Sequence, residues 1–193
     1  MARVSRTAEQ LAQLLDVEAS RFDGLDPTLA ETLLRRLSEL RSAAATDELT
    51  GLLRRGAGLP ALEREVRRAE RQGDERLTVA FIDLHSLKHV NDREGHGAGD
   101  ALLRALAETL RQGLRAYDVT IRWGGDEFVL GLAADMGQTE KILTRLAETF
   151  GAETGHRFHV GLAQPRQGET VADLVARADA DLYARRRGSG RDR

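Results

Sequence analysis

VTIRWGGDEFVLGL, residues 119–132, sets two runs of branched and apolar residues on either side of Gly124-Gly125-Asp126. Such runs favour strands, and glycines at the bend let the chain reverse. Val119–Trp123 and Glu127–Leu132 are therefore predicted to form a β-hairpin. Upstream, LTVAFIDL (Leu77–Leu84) reads as a buried strand ending on an acidic residue, Asp83. Arg157–Ala163 reads as another strand. Elsewhere the apolar spacing is helical: Leu59–Arg71, with Pro60 in its first turn, then Thr139–Phe150 and Val171–Arg185. A glycine-dotted stretch, Gly95, Gly97 and Gly99, leads into one more helix, with Leu102, Leu103, Leu106 and Leu110 on its face. Helices alternating with strands that include a hairpin predict an α/β domain of βααββαβ order, a mostly antiparallel central sheet flanked by helices.

The first 45 residues carry only helical signals. Thr7 and Gln10 match a capping box ahead of Leu11, Leu14 and Leu15, and Asp26-Pro27 supplies an N-cap and a first-turn proline ahead of Leu29, Leu33, Leu37 and Leu40. The organisation expected is a helical extension over 1–45 and one domain over 46–193. Helices this short need a partner for their apolar stripe, either their own domain or another chain.

Composition narrows the classes. The 193 residues are 41% hydrophobic and 31% charged, an ordinary globular balance, and lack cysteine, which removes disulfides, thiolate metal sites and cysteine nucleophiles. A net charge of -2 leaves no footprint for nucleic-acid binding. No apolar run approaches the ~20 residues that cross a bilayer, so no membrane segment and a cytoplasmic location are expected. Lys88 and Lys141 are the only lysines, against an arginine background.

Asp83 at a strand end and Asp126 and Glu127 at the hairpin tip are the acids most rigidly held. Oxygen donors so placed suit Mg²⁺, which takes one or two carboxylates and completes its shell with water and phosphate. Taken alone, they suit plain turn and strand-end chemistry equally well.

Four stretches, ATDELTGLLRR (45–55), FIDLHSLKHVNDREGHGAGD (81–100), RAYD (115–118) and RWGGDEF (122–128), occur in an order and spacing that resembles the GGDEF family of diguanylate cyclases. The resemblance runs from about Thr46 to Arg191. It implies a nucleotidyl-cyclase-like fold and the condensation of two GTP into cyclic di-GMP, with two Mg²⁺ or Mn²⁺ ions per active site and a homodimer in which each domain carries one GTP. Carried over by position, Asp83, Asp126 and the Leu84 carbonyl match metal ligands. Glu127 matches the acid tied to the metal site and to activation of the 3′-hydroxyl. Asn91 and Asp100 match the guanine-reading pair, His96 a substrate-pocket position, Lys88 a phosphate-binding lysine, and Gly124 and Gly125 the turn beneath the nucleotide. In ADADLYARRRGSGRDR, Arg186 matches a second phosphate-binding lysine, with Arg185 open as the alternative. Arg115 and Asp118 match an inhibitory site for the product, cyclic di-GMP.

Some positions depart from the family pattern. His85 replaces an Asp, Leu87 a Phe and Arg54 an Asn, and His159 occupies a small-residue position. Beside the active, product-inhibited enzyme stand two other readings: a non-catalytic receptor for cyclic di-GMP or GTP, and an enzyme making an adenine-containing dinucleotide. The intact acids weigh against the first and Asp100 against the second.

Overall fold

The computed structural model describes residues 6–15, 17–22, 24–73 and 76–188, in two compact units divided after Ala45. In the first, α1 (Arg6–Leu15) and a 3₁₀ turn (Ala19–Phe22) precede α2 (Pro27–Ala45). Asp26 caps α2, its Oδ1 accepting the Leu29 N–H at 3.0 Å. Thr7 lies within α1 rather than at its cap. Leu11, Ala12 and Ala30 are buried, while Leu15, Val17, Leu29 and Leu33 stay exposed. The side chains of Leu14 and Leu40, and Arg191, lie outside the described residues.

The second unit runs β1 (Leu53–Arg54), α3 (Arg55–Gln72), β2 (Thr78–Leu84), α4 (Leu87–Glu94), α5 (His96–Gly113), β3 (Val119–Arg122), β4 (Glu127–Leu132), α6 (Met136–Thr154), β5 (Phe158–Ala163) and α7 (Val171–Gly188). The sheet order is β1-β3-β4-β2-β5. Every pairing is antiparallel except β1 with β3.

Three local expectations change. β1 is too short to show a period. Helix α3 starts at Arg55, before the Leu59 expected, which moves Pro60 from the first turn into the second. Its opening residues, Gly56 and Gly58, are poor helix formers. Gly58 is there for packing, since a Cβ would stand 2.5 Å from Ile121. Helix α5 likewise starts at His96, so Asp100 sits in its second turn rather than at its start.

Strand alternation divides the core in two. Ala80, Ile82, Leu84, Phe128, Leu130 and Leu162 face α4, α5 and α6, where Leu106, Leu110, Leu146 and Phe150 are buried. Val79, Phe81, Ile121, Val129 and Ala163 face α3 and α7 and meet Leu62, Val66, Leu174 and Ala178. Helix α7 lies directly on β5: a Cβ on Gly161 would stand 2.0 Å from the Ala178 carbonyl oxygen and 2.2 Å from the Leu182 nitrogen. That approach fixes where the last turns of α7 deliver their side chains.

Candidate active site

At the end of β2, Asp83 pairs in register with Glu127 on β4 and with His159 on β5. Cross-strand partners share a face, and parity with Val79 and Phe81 puts this row on the α3–α7 side of the sheet. Helix α7 reaches it through Arg186, whose Nη1 lies 2.9 Å from Asp83 Oδ1. Arg185 turns instead to Asp181, at 2.6 Å, and to Glu140, at 3.3 Å. Of the two arginines left open by sequence, Arg186 is the one at the acidic row.

The hairpin tip is pinned on three sides. The Glu127 carbonyl accepts the Trp123 and Gly124 N–H groups at 2.8 and 3.3 Å, and the Leu84 N–H donates to the Asp126 carbonyl at 2.9 Å. Arg122 donates through Nη2 to the Gly125 carbonyl at 2.9 Å and through Nη1 to Asp47 Oδ1 at 2.8 Å. Asp47 Oδ1 also accepts from the Thr50 N–H and hydroxyl. At Gly124 a Cβ would come within 2.7 Å of Glu127 Oε2, so a side chain there would crowd the carboxylate; Gly125 has nothing within 4 Å.

Charge is concentrated here. Burial pushes the Asp83 carboxyl up; Arg186 counters it and Asp126 adds to it. Burial also pushes Glu127 up, and Asp126, Asp179 and Asp83 push in the same direction, with Arg55 acting against them. Arg55 stacks on Trp123, 4.2 Å from the ring centroid. At Asp47 burial acts upward, but Arg122 and Thr50 outweigh it and hold the carboxyl below the usual range. The sequence reading passed over Arg55, Asp179 and the Asp47–Arg122 pair as functional positions. Asp47 and Arg122 lie in stretches quoted above, yet nothing local says that residues 75 apart bond to each other.

The α4–α5 corner places the remaining expected residues. Asn91 and Asp100 are half-buried, while Lys88 and His96 are exposed. Asn91 lies against the helix turn that carries Asp100, because a Cβ on Gly99 would stand 2.0 Å from Asn91 Oδ1. Ser86, between β2 and α4, has φ 65°, the one positive φ outside glycine among the described residues. Relieving it with Ser86→Gly is expected to stabilise the fold by about 0.5–1 kcal/mol, read as a rise in the urea midpoint.

Arg115 and Asp118 stand in the turn between α5 and β3, and their side chains do not pair. Asp118 accepts the Arg115 backbone N–H at 2.9 Å and the Ala133 N–H at 3.2 Å. The Arg115 guanidinium donates to the Tyr117 hydroxyl at 2.6 Å. Both residues line a cleft of about 340 Å³ with Leu132, Ile142 and Arg145, a second cation the sequence reading did not select. A larger cavity, about 690 Å³, lies at the other end of β2 and β5 beside Leu77 and Gln164, away from the acids.

The donor set fits a hard divalent cation: carboxylates crowded on one strand end, raised by burial and by each other, gain from a neutralising charge. Among the described residues no group of three or more His, Cys, Asp or Glu is placed to hold a metal ion.

Residues 44–192 match the diguanylate cyclase GGDEF-domain family. The bifunctional diguanylate cyclase/cyclic di-GMP phosphodiesterase MucR of Pseudomonas aeruginosa is 36% identical over 182 residues, covering 90% of this chain and 26% of that protein. Diguanylate cyclase DgcP of the same organism is 36% identical over 173 residues, covering 85% of this chain and 26% of DgcP. The GGDEF domain of DgcB from Caulobacter crescentus, solved in complex with c-di-GMP, superposes with a TM-score of 0.70 at 28% identity, covering 76% of this chain and 89% of that one. The chain belongs to the GGDEF-domain diguanylate cyclase family. It spans about a quarter of the length of the curated relatives MucR and DgcP. Among the described residues no helix is long and apolar enough to cross a membrane.

Proposed function

We propose that the domain over 46–193 is a diguanylate cyclase, joining two GTP into cyclic di-GMP with release of two pyrophosphates. The observation that carries this reading is the row of Asp83 and Glu127 beside a glycine turn, two buried-side carboxylates kept together at an energetic disadvantage. Clustered perturbed acids of this kind mark functional sites. Two Mg²⁺ or Mn²⁺ ions held by Asp83, Asp126, Glu127 and the Leu84 carbonyl would supply charge neutralisation at the triphosphate and at the attacking hydroxyl.

The chain's own groups do the rest. Glu127 is the acid tied to activation of the 3′-hydroxyl. Arg186 leaves Asp83 for phosphate when the nucleotide arrives, and Lys88 meets phosphate from α4. Asn91 and Asp100 read guanine: a carboxylate accepts from the N1–H and the exocyclic amine, a donor pair adenine lacks. Gly124 and Gly125 admit the nucleotide over the turn. Because each 3′-hydroxyl attacks the other α-phosphate, two copies must face each other. The helices of 1–45, with Leu15, Leu29 and Leu33 exposed, are suited to making or gating that homodimer.

The cleft at Arg115 and Asp118 binds the product. Arg115 and Arg145 provide cations for phosphate or the guanine edge, and Asp118 holds the turn. Arg115→Ala is expected to weaken product inhibition by at least about tenfold, measured as the inhibition constant for added cyclic di-GMP; an unchanged constant would place the inhibitory contact elsewhere.

Incubating purified protein over a range of concentrations with GTP or ATP and Mg²⁺, and identifying products by chromatography, tests the whole reading. A cyclic guanine dinucleotide whose specific rate rises with protein concentration supports it. Tight cyclic di-GMP binding without turnover would make the domain a receptor, and an adenine-containing product would overturn the role given to Asp100.

A further inference from the structure

The acidic row continues onto a third strand. Trp123 carries the β3–β4 pairing one step past Arg122 and Phe128, its N–H donating to the Glu127 carbonyl at 2.8 Å. It therefore stands directly across from Glu127, and both share the parity of Ile121 and Val129, on the α3–α7 side of the sheet. Four cross-strand side chains stand in line: Trp123, Glu127, Asp83 and His159. At the β5 end His159 meets His85, Nε2 to Nδ1 at 3.4 Å, and Arg186 holds Asp83. The β3 end carries a second guanidinium, that of Arg55, which opens α3 and stacks 4.2 Å from the Trp123 ring centroid.

The two arginines are held differently. Arg186 is bonded to a carboxylate. Arg55 acts on Glu127 through space, yet its guanidinium forms no hydrogen bond or ion pair among the described residues. Its fixed contact is aromatic, and the ring is itself fixed, half-buried and edge-on to Phe81 with centroids 6.4 Å apart. Stacking engages the face of a guanidinium and leaves the N–H donors around its edge unspent. A cation so held, beside a glycine turn with open space at Gly125, presents a planar fork that suits phosphate oxygens. The neighbouring Arg54 is also exposed but committed elsewhere: its Nε donates to the Thr46 carbonyl at 2.8 Å, and its Nη2 lies 3.5 Å from Glu48.

We infer that Arg55 is a further substrate-binding residue, gripping a phosphate of the nucleotide at the β3 end of the row, and that Trp123 is the positioning residue that holds it there. This role rests on the reading of the row as a GTP site.

The test uses the full chain with Mg²⁺ and 3′-deoxy-GTP, which lacks the attacking hydroxyl and so binds without turnover. Affinity is read by calorimetry, with guanosine as the phosphate-free companion and circular dichroism as the check on folding. Arg55→Gln is expected to weaken 3′-deoxy-GTP by at least about tenfold, the loss of a charge-assisted contact, and to leave guanosine unchanged. Trp123→Leu is expected to weaken 3′-deoxy-GTP about threefold, and Trp123→Tyr, which keeps an aromatic face, to restore it. Arg54→Gln, which removes the same charge one residue away, should bind as the parent does. Arg55→Gln binding 3′-deoxy-GTP like the parent, losing guanosine equally, or matched in its loss by Arg54→Gln overturns the role of Arg55. Parent-like binding by Trp123→Leu overturns the positioning role of the ring. A parent that takes up neither probe removes the GTP-site reading itself, whereas a parent that binds both beside an unaltered Arg55→Gln removes only the inference, so the two failures are distinguishable.

Discussion

Glu127→Gln is expected to lower the rate of cyclic di-GMP formation by ~10²–10⁴-fold while making the metal-free protein more stable at neutral pH. Both effects come from one cause. Burial and the acids at Asp126, Asp179 and Asp83 raise this carboxyl above its ordinary value of 4.5. In the window between 4.5 and the raised value, the folded chain holds the proton and the unfolded chain has released it. Stability therefore falls as pH rises through that window, and the penalty is complete above it. Gln removes the charge at nearly constant shape. A gain of about 0.5–1 kcal/mol is expected, or roughly 1–4 °C in melting temperature. Melting curves at pH 7 and well below 4.5 check the sign: the advantage over the parent should be present at the first and gone at the second. A variant that melts lower than the parent at pH 7, or that turns over GTP normally, would break the link drawn between strain and chemistry.

Gly161→Ala is expected to be the most damaging small substitution in the sheet. The added methyl would lie 2.0 Å from the Ala178 carbonyl oxygen and 2.2 Å from the Leu182 nitrogen, both backbone, so no rotamer relieves it. Either α7 lifts or β5 shifts. Overpacking of this kind costs about 1–3 kcal/mol and occasionally more, and the upper end applies when the obstacle is main chain. Because α7 also carries Arg186 and Asp179 to the acidic row, the displacement should reduce turnover as well as the chemical-denaturation midpoint. Gly137→Ala serves as the comparison: its Cβ would meet only Asp135 Oδ1 at 3.6 Å, inside α6. It should be neutral or mildly stabilising. Equal midpoints for the two variants would show that α7 does not bear on β5 so closely.

Much of this was legible in the chain. The hairpin around Gly124 and the apolar run ending at Asp83 announce themselves through period-2 burial and turn glycines, which depend on near neighbours only. The alignment of Asp83 with Glu127 and His159 is a matter of register between strands distant in sequence, and no local pattern encodes it. The same holds for Asp47 with Arg122 and for His85 with His159, where each partner looks unremarkable until the sheet assembles. The start of α3 was hidden for a different reason. Gly58 is a poor helix former retained because Ile121 needs the space, so tertiary packing overrode propensity. Asp118 was read as a ligand group. Its carboxylate also accepts two backbone N–H groups, a link between the turn and the end of β4 that only the assembled sheet shows.

The bond from Asp47 to Arg122, and from Arg122 to the Gly125 carbonyl, bears on where this domain can be trimmed. Any excised fragment that opens at Thr46 keeps the tether on its hairpin tip. One that opens at Gly51 retains every acid of the row and the bond from Arg122 to the Gly125 carbonyl, yet strips Arg122 of its counter-charge. The fragment opening at Gly51 is therefore expected to melt below the one opening at Thr46, although both hold the same chemistry.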